Sequence, residues 1–398
     1  MIAPHGAAHL VPLYVSEEAR RVELAAEAGS LPQVLVSSGA AASAAMLASG
    51  YFTPLRGYMG LDEARSVALD MRLSDGLLWP VPILNLVPKH QLPAGVAPGT
   101  RVALRDPNVE GNPVLAVQTV EEVVSLTEAD RHDLIAPVFR TTDPEHPGVA
   151  AFLSMGEVLL CGPIEALNHS YFPSEFPDTF RTAGQLRMEF GRRGWNKVVA
   201  FQTRNPMHRA HEELCRMAQQ ATGADGILIH MLLGRLRKDD IPAPVRDAAI
   251  RKMVELYFPE DAVLVAGYGF DMLYAGPREA VLHAIFRQNS GCTHLIVGRD
   301  HAGVGSYYGP FDAQTIFDEI PAGSLRIRTF RGDHTVWCHA CGQVVMMRDC
   351  PHDSKDHLML SGTKVRQTLA AGQPLPEEFA RPEVARILMD YYQSEAAA

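Results

Sequence analysis

The sequence lacks a long apolar run, a basic leader and any excess of positive charge. Its most apolar stretch, Val34 to Phe52, is interrupted by four serines and two glycines, which is too polar for a membrane span. The opening MIAPHGAAHLVPLY has no basic segment followed by an apolar one, so no secretory signal is expected, and the cytoplasm is the expected location. Against 36 Lys+Arg stand 46 Asp+Glu, a net charge of −10. With no patch that is both aromatic and basic, this balance speaks against nucleic acid as a partner. A local basic cleft for phosphate remains compatible with it. Hydrophobic residues at 47% and charged residues at 21% exclude a disordered, collagen-like or coiled-coil chain. Cysteine is also scarce: six in 398 residues do not make a disulfide framework. Cys161, Cys215 and Cys292 lie singly among apolar neighbours and are expected as buried small hydrophobes. Cys338, Cys341 and Cys350 are clustered and need another explanation.

The length predicts two or three domains. Residues 1–168 are rich in proline and short apolar alternations, which predicts a mostly β module with a few helices. Residues 169–325 alternate differently. KVVAFQT, GILIHMLL, AVLVAGYGF and THLIVGRD read as buried strands, separated by RNPMHRAHEELCRMAQQATG, PAPVRDAAIRKMVELYF and PREAVLHAIFRQNSG as helices. Asp178 is placed to cap a further helix running to about Phe190. Repeated strand–helix–strand units with continuously apolar strands predict an α/β domain built on a parallel sheet. Its ligand is expected beyond the carboxyl ends of the strands. Residues 326–398 form a small third segment holding the cysteine cluster and two more helices.

Two motifs fall at those strand ends. In Gln202-Thr203-Arg204-Asn205-Pro206-Met207-His208-Arg209-Ala210-His211, a strand turns into a helix whose first N–H groups and positive dipole end suit phosphate. His208 and His211, three apart, share a face of the first turn. Arg204 offers a permanent, planar, forked cation for an oxyanion. The second motif is Gly298-Arg299-Asp300-His301-Ala302-Gly303, where glycine allows a ligand to approach the backbone. Cys338 and Cys341 form a CxxC, and Cys350 with His352 completes a set suited to closed, tetrahedral, structural zinc. His357 or His339 can replace His352 in that set. Arg235, Arg237, Lys238 and Arg246 read either as a lid over phosphates or as a solvated loop. Ser361-Gly362-Thr363-Lys364 reads as a helix cap or as a second phosphate motif.

QTRNPMHRAHEEL followed by GRDHAGVG closely resembles the ATP sulfurylase family, as do GYFTPLRGYM, RDPNVEGNP, YAGPREAVLHA and LSGTKVR. The resemblance implies a PUA-like N-terminal domain and a Rossmann-like nucleotidyltransferase domain. It implies conversion of ATP and sulfate into adenosine 5′-phosphosulfate and diphosphate, with Mg²⁺. It further implies that Gln202, Arg204 and Ala302 hold sulfate, and that Thr203, Arg204 and Asn205 are catalytic. The nucleotide would then contact Gln202 to Asn205, His208, His211 and Gly298 to His301. Some bacterial members carry zinc, short members are commonly homodimers, and no kinase activity is expected without a P-loop. The competing readings are another HxxH adenylyltransferase with a different phosphate acceptor, and an RNA-binding protein with a zinc ribbon.

Overall fold

The computed structural model describes residues 1–236 and 240–397. The N-terminal half is organised by a seven-stranded sheet centred on the long strand Val158–Ala166, which pairs antiparallel with four others. Helices are more prominent here than the alternation predicts. The small-residue run forms a helix, Ser38–Ala48, capped by the Ser37 side chain and buried along nearly its whole length. With no polar face it carries no 3.6-residue period for a sequence reading to find.

The expected alternation then appears as five parallel strands in the order Val263–Tyr268, Gly226–Leu232, Val198–Thr203, His294–Val297, Arg328–Arg331. All seven residues of Gly226–Leu232 are buried, as a strand covered on both faces requires. The outer strand Arg328–Arg331 comes from beyond residue 326. The strand first in sequence, Val198–Thr203, lies in the middle, with the second on one side and the fourth on the other. The order reverses there, and such a switch point opens a crevice at the carboxyl ends. Asp178 is not the helix cap expected of it. The helix Ala183–Arg192 is capped by Thr182, whose hydroxyl accepts from the Gln185 N–H while the Gln185 side chain accepts from the Thr182 N–H. The reciprocal box satisfies two end donors at once, and it sits at the helix end itself, whereas Asp178 lies four residues upstream of the Thr182 cap.

A small antiparallel sheet, Gln343–Met346, Thr335–Cys338 and His357–Leu358, sits against the helix Arg209–Thr222, with the Arg209 guanidinium 5.0 Å from the centroid of the Trp337 ring. The chain ends in the helices Gly362–Ala370, capped by Ser361, and Pro382–Ala397.

Candidate active site

Both motifs open onto one cleft at the switch point. A cavity of about 300 Å³ is lined by Gln202 to Asn205 from one strand end and Gly298 to Ala302 from the next. A second cavity of about 700 Å³ adjoins it and shares Asn205, His208 and His211. A Cβ on Gly298 would meet nothing within 4 Å, so the backbone there is open to a ligand.

Thr203 shapes the turn: its hydroxyl donates to the Asn205 carbonyl at 2.7 Å and accepts from the Asn205 N–H at 3.0 Å. Gln202 reaches the Tyr268 hydroxyl at 3.4 Å. Arg204 lies over the Tyr274 ring, 5.1 Å from its centroid, with one nitrogen 3.6 Å from the Asp240 carboxylate and another 3.5 Å from the Gly303 carbonyl. These contacts are long for charge-assisted bonds, so the guanidinium fork keeps donor capacity for a ligand.

His208 begins the helix Arg209–Thr222. Its ring is 4.1 Å from that of His211 and stacks on Phe379 at 4.7 Å. The His208 backbone N–H donates to His211 Nδ1 at 3.4 Å, which fixes the remaining ring proton of His211 on Nε2. Burial lowers the His211 pKa to about 4 and holds His208 well below its usual range. The pair is therefore neutral, and His208 Nδ1 is buried without a partner among the described residues. Two neutral imidazoles offer hydrogen bonds, not charge, to a phosphate.

In the second motif Asp300 and Ala302 adopt left-handed φ values of +53° and +57°, conformations costly for residues with a Cβ. The loop is tied by the Gly303 N–H to the Asp300 carbonyl and by the Gly276 N–H to the Ala302 carbonyl, both at 3.0 Å. Arg299 and Asp300 are exposed and paired with each other at 2.7 Å, whereas His301 is buried against His283 at 3.0 Å.

Of the basic loop, Arg237 and Lys238 lie outside the described residues. Arg246 is no lid cation: it is buried and donates to the Ile241 and Leu232 carbonyls. Ser361, Gly362, Val365 and Arg366 line the larger cavity. Several lining residues were not legible beforehand. His334 borders both cavities, yet in sequence it reads as part of the cysteine segment. The run Glu377 to Arg381 closes over the first turn of the histidine helix. There the Phe379 carbonyl accepts from the Arg209 N–H at 3.1 Å, and Arg381 grips the buried Glu212 with two bonds of 3.0 and 2.8 Å.

Cys338, Cys341, Cys350 and His352 bring their ligand atoms within 4.8 Å of one another and can hold a metal ion. His352 Nδ1 stands 3.5, 3.2 and 3.6 Å from the three sulfurs, and Cys341 and Cys350 are 3.8 Å apart. Of the three sulfurs, the His357 ring reaches that of Cys350, at 3.4 Å, and His339 is exposed. Cys215 and Cys292 are buried as expected, and Cys161 is half-buried.

The family model for ATP-sulfurylase matches residues 177–391, and that for the PUA-like domain matches residues 2–169. The sulfate adenylyltransferase of Alcanivorax borkumensis is 61% identical over 99% of this chain and 98% of its own length. That of Allochromatium vinosum is 59% identical over 99% of both. The solved structure described as a hexameric APS kinase from Thiobacillus denitrificans superposes with a TM-score of 0.76 at 25% identity, covering 98% of this chain and 69% of that one. No described helix is long and apolar enough to cross a membrane. A parallel sheet whose switch point carries QTRNPMHRAH and GRDHAG, joined to a PUA-like N-terminal half, places this chain in the ATP-sulfurylase family.

Proposed function

We propose that the switch-point cleft transfers the adenylyl group of ATP to sulfate, releasing diphosphate and forming adenosine 5′-phosphosulfate, reversibly. The observation that carries this reading is the convergence of the two motifs on one cavity from adjacent parallel strands. Sulfate is a dianion and a poor nucleophile, and the α-phosphate it attacks is also anionic. The reaction therefore needs in-line placement and positive charge rather than a protein nucleophile. In this reading Arg204 clamps sulfate with its fork, aided by Gln202 and the backbone at Ala302. Thr203 holds the turn that aims Arg204 and Asn205 at the reacting oxygens, and Asn205, His208 and His211 donate to the α- and β-phosphates. Gly298 to His301 line the nucleoside. Mg²⁺ arriving with ATP supplies charge neutralisation on the phosphates.

Residues 1–168 serve as the PUA-like domain and 169–325 as the catalytic domain. Residues 326–398 form a small third unit that lends its first strand to the catalytic sheet. The metal of the cysteine cluster is zinc. Zinc–sulfur bonds of about 2.3 Å set sulfurs roughly 3.8 Å apart on a tetrahedron, a spacing that fits Cys341 and Cys350. Four protein donors leave no open position, so the ion is structural. The protein works in the cytoplasm as a homodimer, which light scattering would distinguish from a monomer or a hexamer.

The test is isotope exchange. Labelled pyrophosphate should enter ATP only when sulfate is present, and molybdate, whose adenylate is unstable, should drive steady cleavage of ATP to AMP. Exchange indifferent to sulfate would remove this assignment in favour of another adenylyl acceptor.

A further inference from the structure

The helix Pro277–Asn289 is buried at every residue but Arg278, including Glu279, His283, Arg287, Gln288 and Asn289. Glu279, His283 and Arg287 fall at i, i+4 and i+8, so they share one face. Buried ionisable groups are costly unless hydrogen-bonded or paired, and the partners of these three lead to the cleft. Glu279 accepts the N–H of Leu273 at 3.1 Å and of Ala275 at 3.0 Å. These two bonds bracket Tyr274, the ring on which Arg204 rests. One turn on, His283 Nδ1 meets His301 Nε2 at 3.0 Å, and His283 Nε2 stands 3.5 Å from Glu279. That second contact is too long for a full hydrogen bond, and His283 Nε2 makes no hydrogen bond among the described residues. Arg287 lies over the Tyr268 ring at 4.7 Å and bonds the His283 carbonyl. Gln202 touches that same Tyr268.

We infer that Glu279 and His283 are positioning residues for the adenylyl transfer. Glu279 seats Tyr274 beneath Arg204, and His283 fixes the ring of His301 at the nucleotide side. The inference rests on the proposed roles of Arg204 and His301. Proton placement follows from the contacts. A proton on His283 Nε2 faces the carboxylate, so Nδ1 is the acceptor and His301 donates from Nε2. His301 Nδ1 then carries a lone pair, on a ring that lines the smaller cavity. Such a ring accepts a hydroxyl or amino proton of the nucleoside and offers nothing to a phosphate oxygen. The environment keeps the pattern in place. Burial, reinforced by the Arg287 charge, holds His283 and His301 well below the usual range, so neither becomes imidazolium near neutrality. Burial also raises Glu279 to about 7, a shift opposed by its two backbone donors and by Arg204.

The experiment separates the two ends of this helix face. His283→Leu should raise KM for ATP about tenfold while moving KM for sulfate less than threefold. His283→Asn, which restores an acceptor near the Nδ1 position, should recover most of the loss. Glu279→Gln should do the reverse, raising KM for sulfate more than KM for ATP, because an amide cannot accept both N–H groups with both of its heads. Equal shifts in both constants without recovery by asparagine, or no shift at all, would overturn the inference. Should the variants not fold, nitrogen NMR of histidine-labelled wild type decides. His301 protonated on Nε2 is expected, and a proton on its Nδ1 refutes the relay. Wild-type protein without sulfate-dependent exchange would instead defeat the underlying assignment, a separate outcome.

Discussion

The cleft and the cysteine cluster both gather histidine beside other polar donors, and they use it in opposite ways. In the cluster the donors turn toward one another: three sulfurs and His352 Nδ1 close on a single point. In the cleft they turn away. Among the described residues His208 Nδ1 has no partner, and Arg204 rests on contacts of 3.5 Å and more. A set that completes itself around an ion stabilises, whereas one left incomplete has affinity to spend on a substrate. The difference lies in coordination, since the residue types overlap.

That contrast breaks most sharply at Arg204. Arg204→Lys should lower kcat by about 10²-fold or more, the usual cost of removing one preorganised donor, with an unchanged melting temperature. A variant keeping a tenth of the wild-type rate would show that the fork is dispensable. Cys338→Ser tests the other side. It should lower the metal content from one ion per chain and the melting temperature by several degrees, because the binding energy of a structural metal is folding energy. Activity should fall only as the C-terminal segment loosens. Rapid loss of activity to a chelator while the protein stays folded would make the cluster catalytic.

Asp240→Asn sharpens the comparison from within the cleft. A carboxylate 3.6 Å from Arg204 competes with an incoming dianion, so its neutral analogue should lower KM for sulfate roughly threefold at low ionic strength, and less when salt screens the charges. Steady-state kinetics at two salt concentrations would check both parts. The smallest effect is on pH dependence. His211 has a folded-state pKa of about 4, below the unfolded value of about 6.5, so the unfolded state takes up the proton first. Its stabilising contribution is complete above pH 6.5 and is lost as pH falls through the window down to about 4. His211→Asn should flatten that slope in thermal melts of metal-saturated protein, and an unchanged slope would contradict the depression.

The strand-to-helix turn at Thr203–Arg209 and the cysteine spacing were legible because each is local: a handful of adjacent residues fixes both conformation and chemistry. The pairing of the two motifs also followed, since parallel strands put their carboxyl ends on one edge. What escaped was long-range or aperiodic. Phe379 meets His208 from 171 residues further along the chain, and Glu279 serves Tyr274 from inside a helix with no exposed face. The helix Ser38–Ala48 escaped because burial on nearly every side leaves it no polar face and hence no period, and Thr182 takes the cap expected of Asp178 because it stands at the helix end itself.

The clamp of Arg381 on Glu212 has a thermodynamic corollary. It docks the end of the chain on the helix that starts at His208, and the larger cavity is walled by both partners. Any molecule filling that space touches the docked arrangement more than an undocked one, so occupancy and docking are linked equilibria with a single coupling free energy. Ligand then protects the backbone around Phe379 from proteolysis. By reciprocity, a substitution that undocks the segment, such as Arg381→Ala, weakens the ligand without touching it, up to the factor by which ligand favours docking.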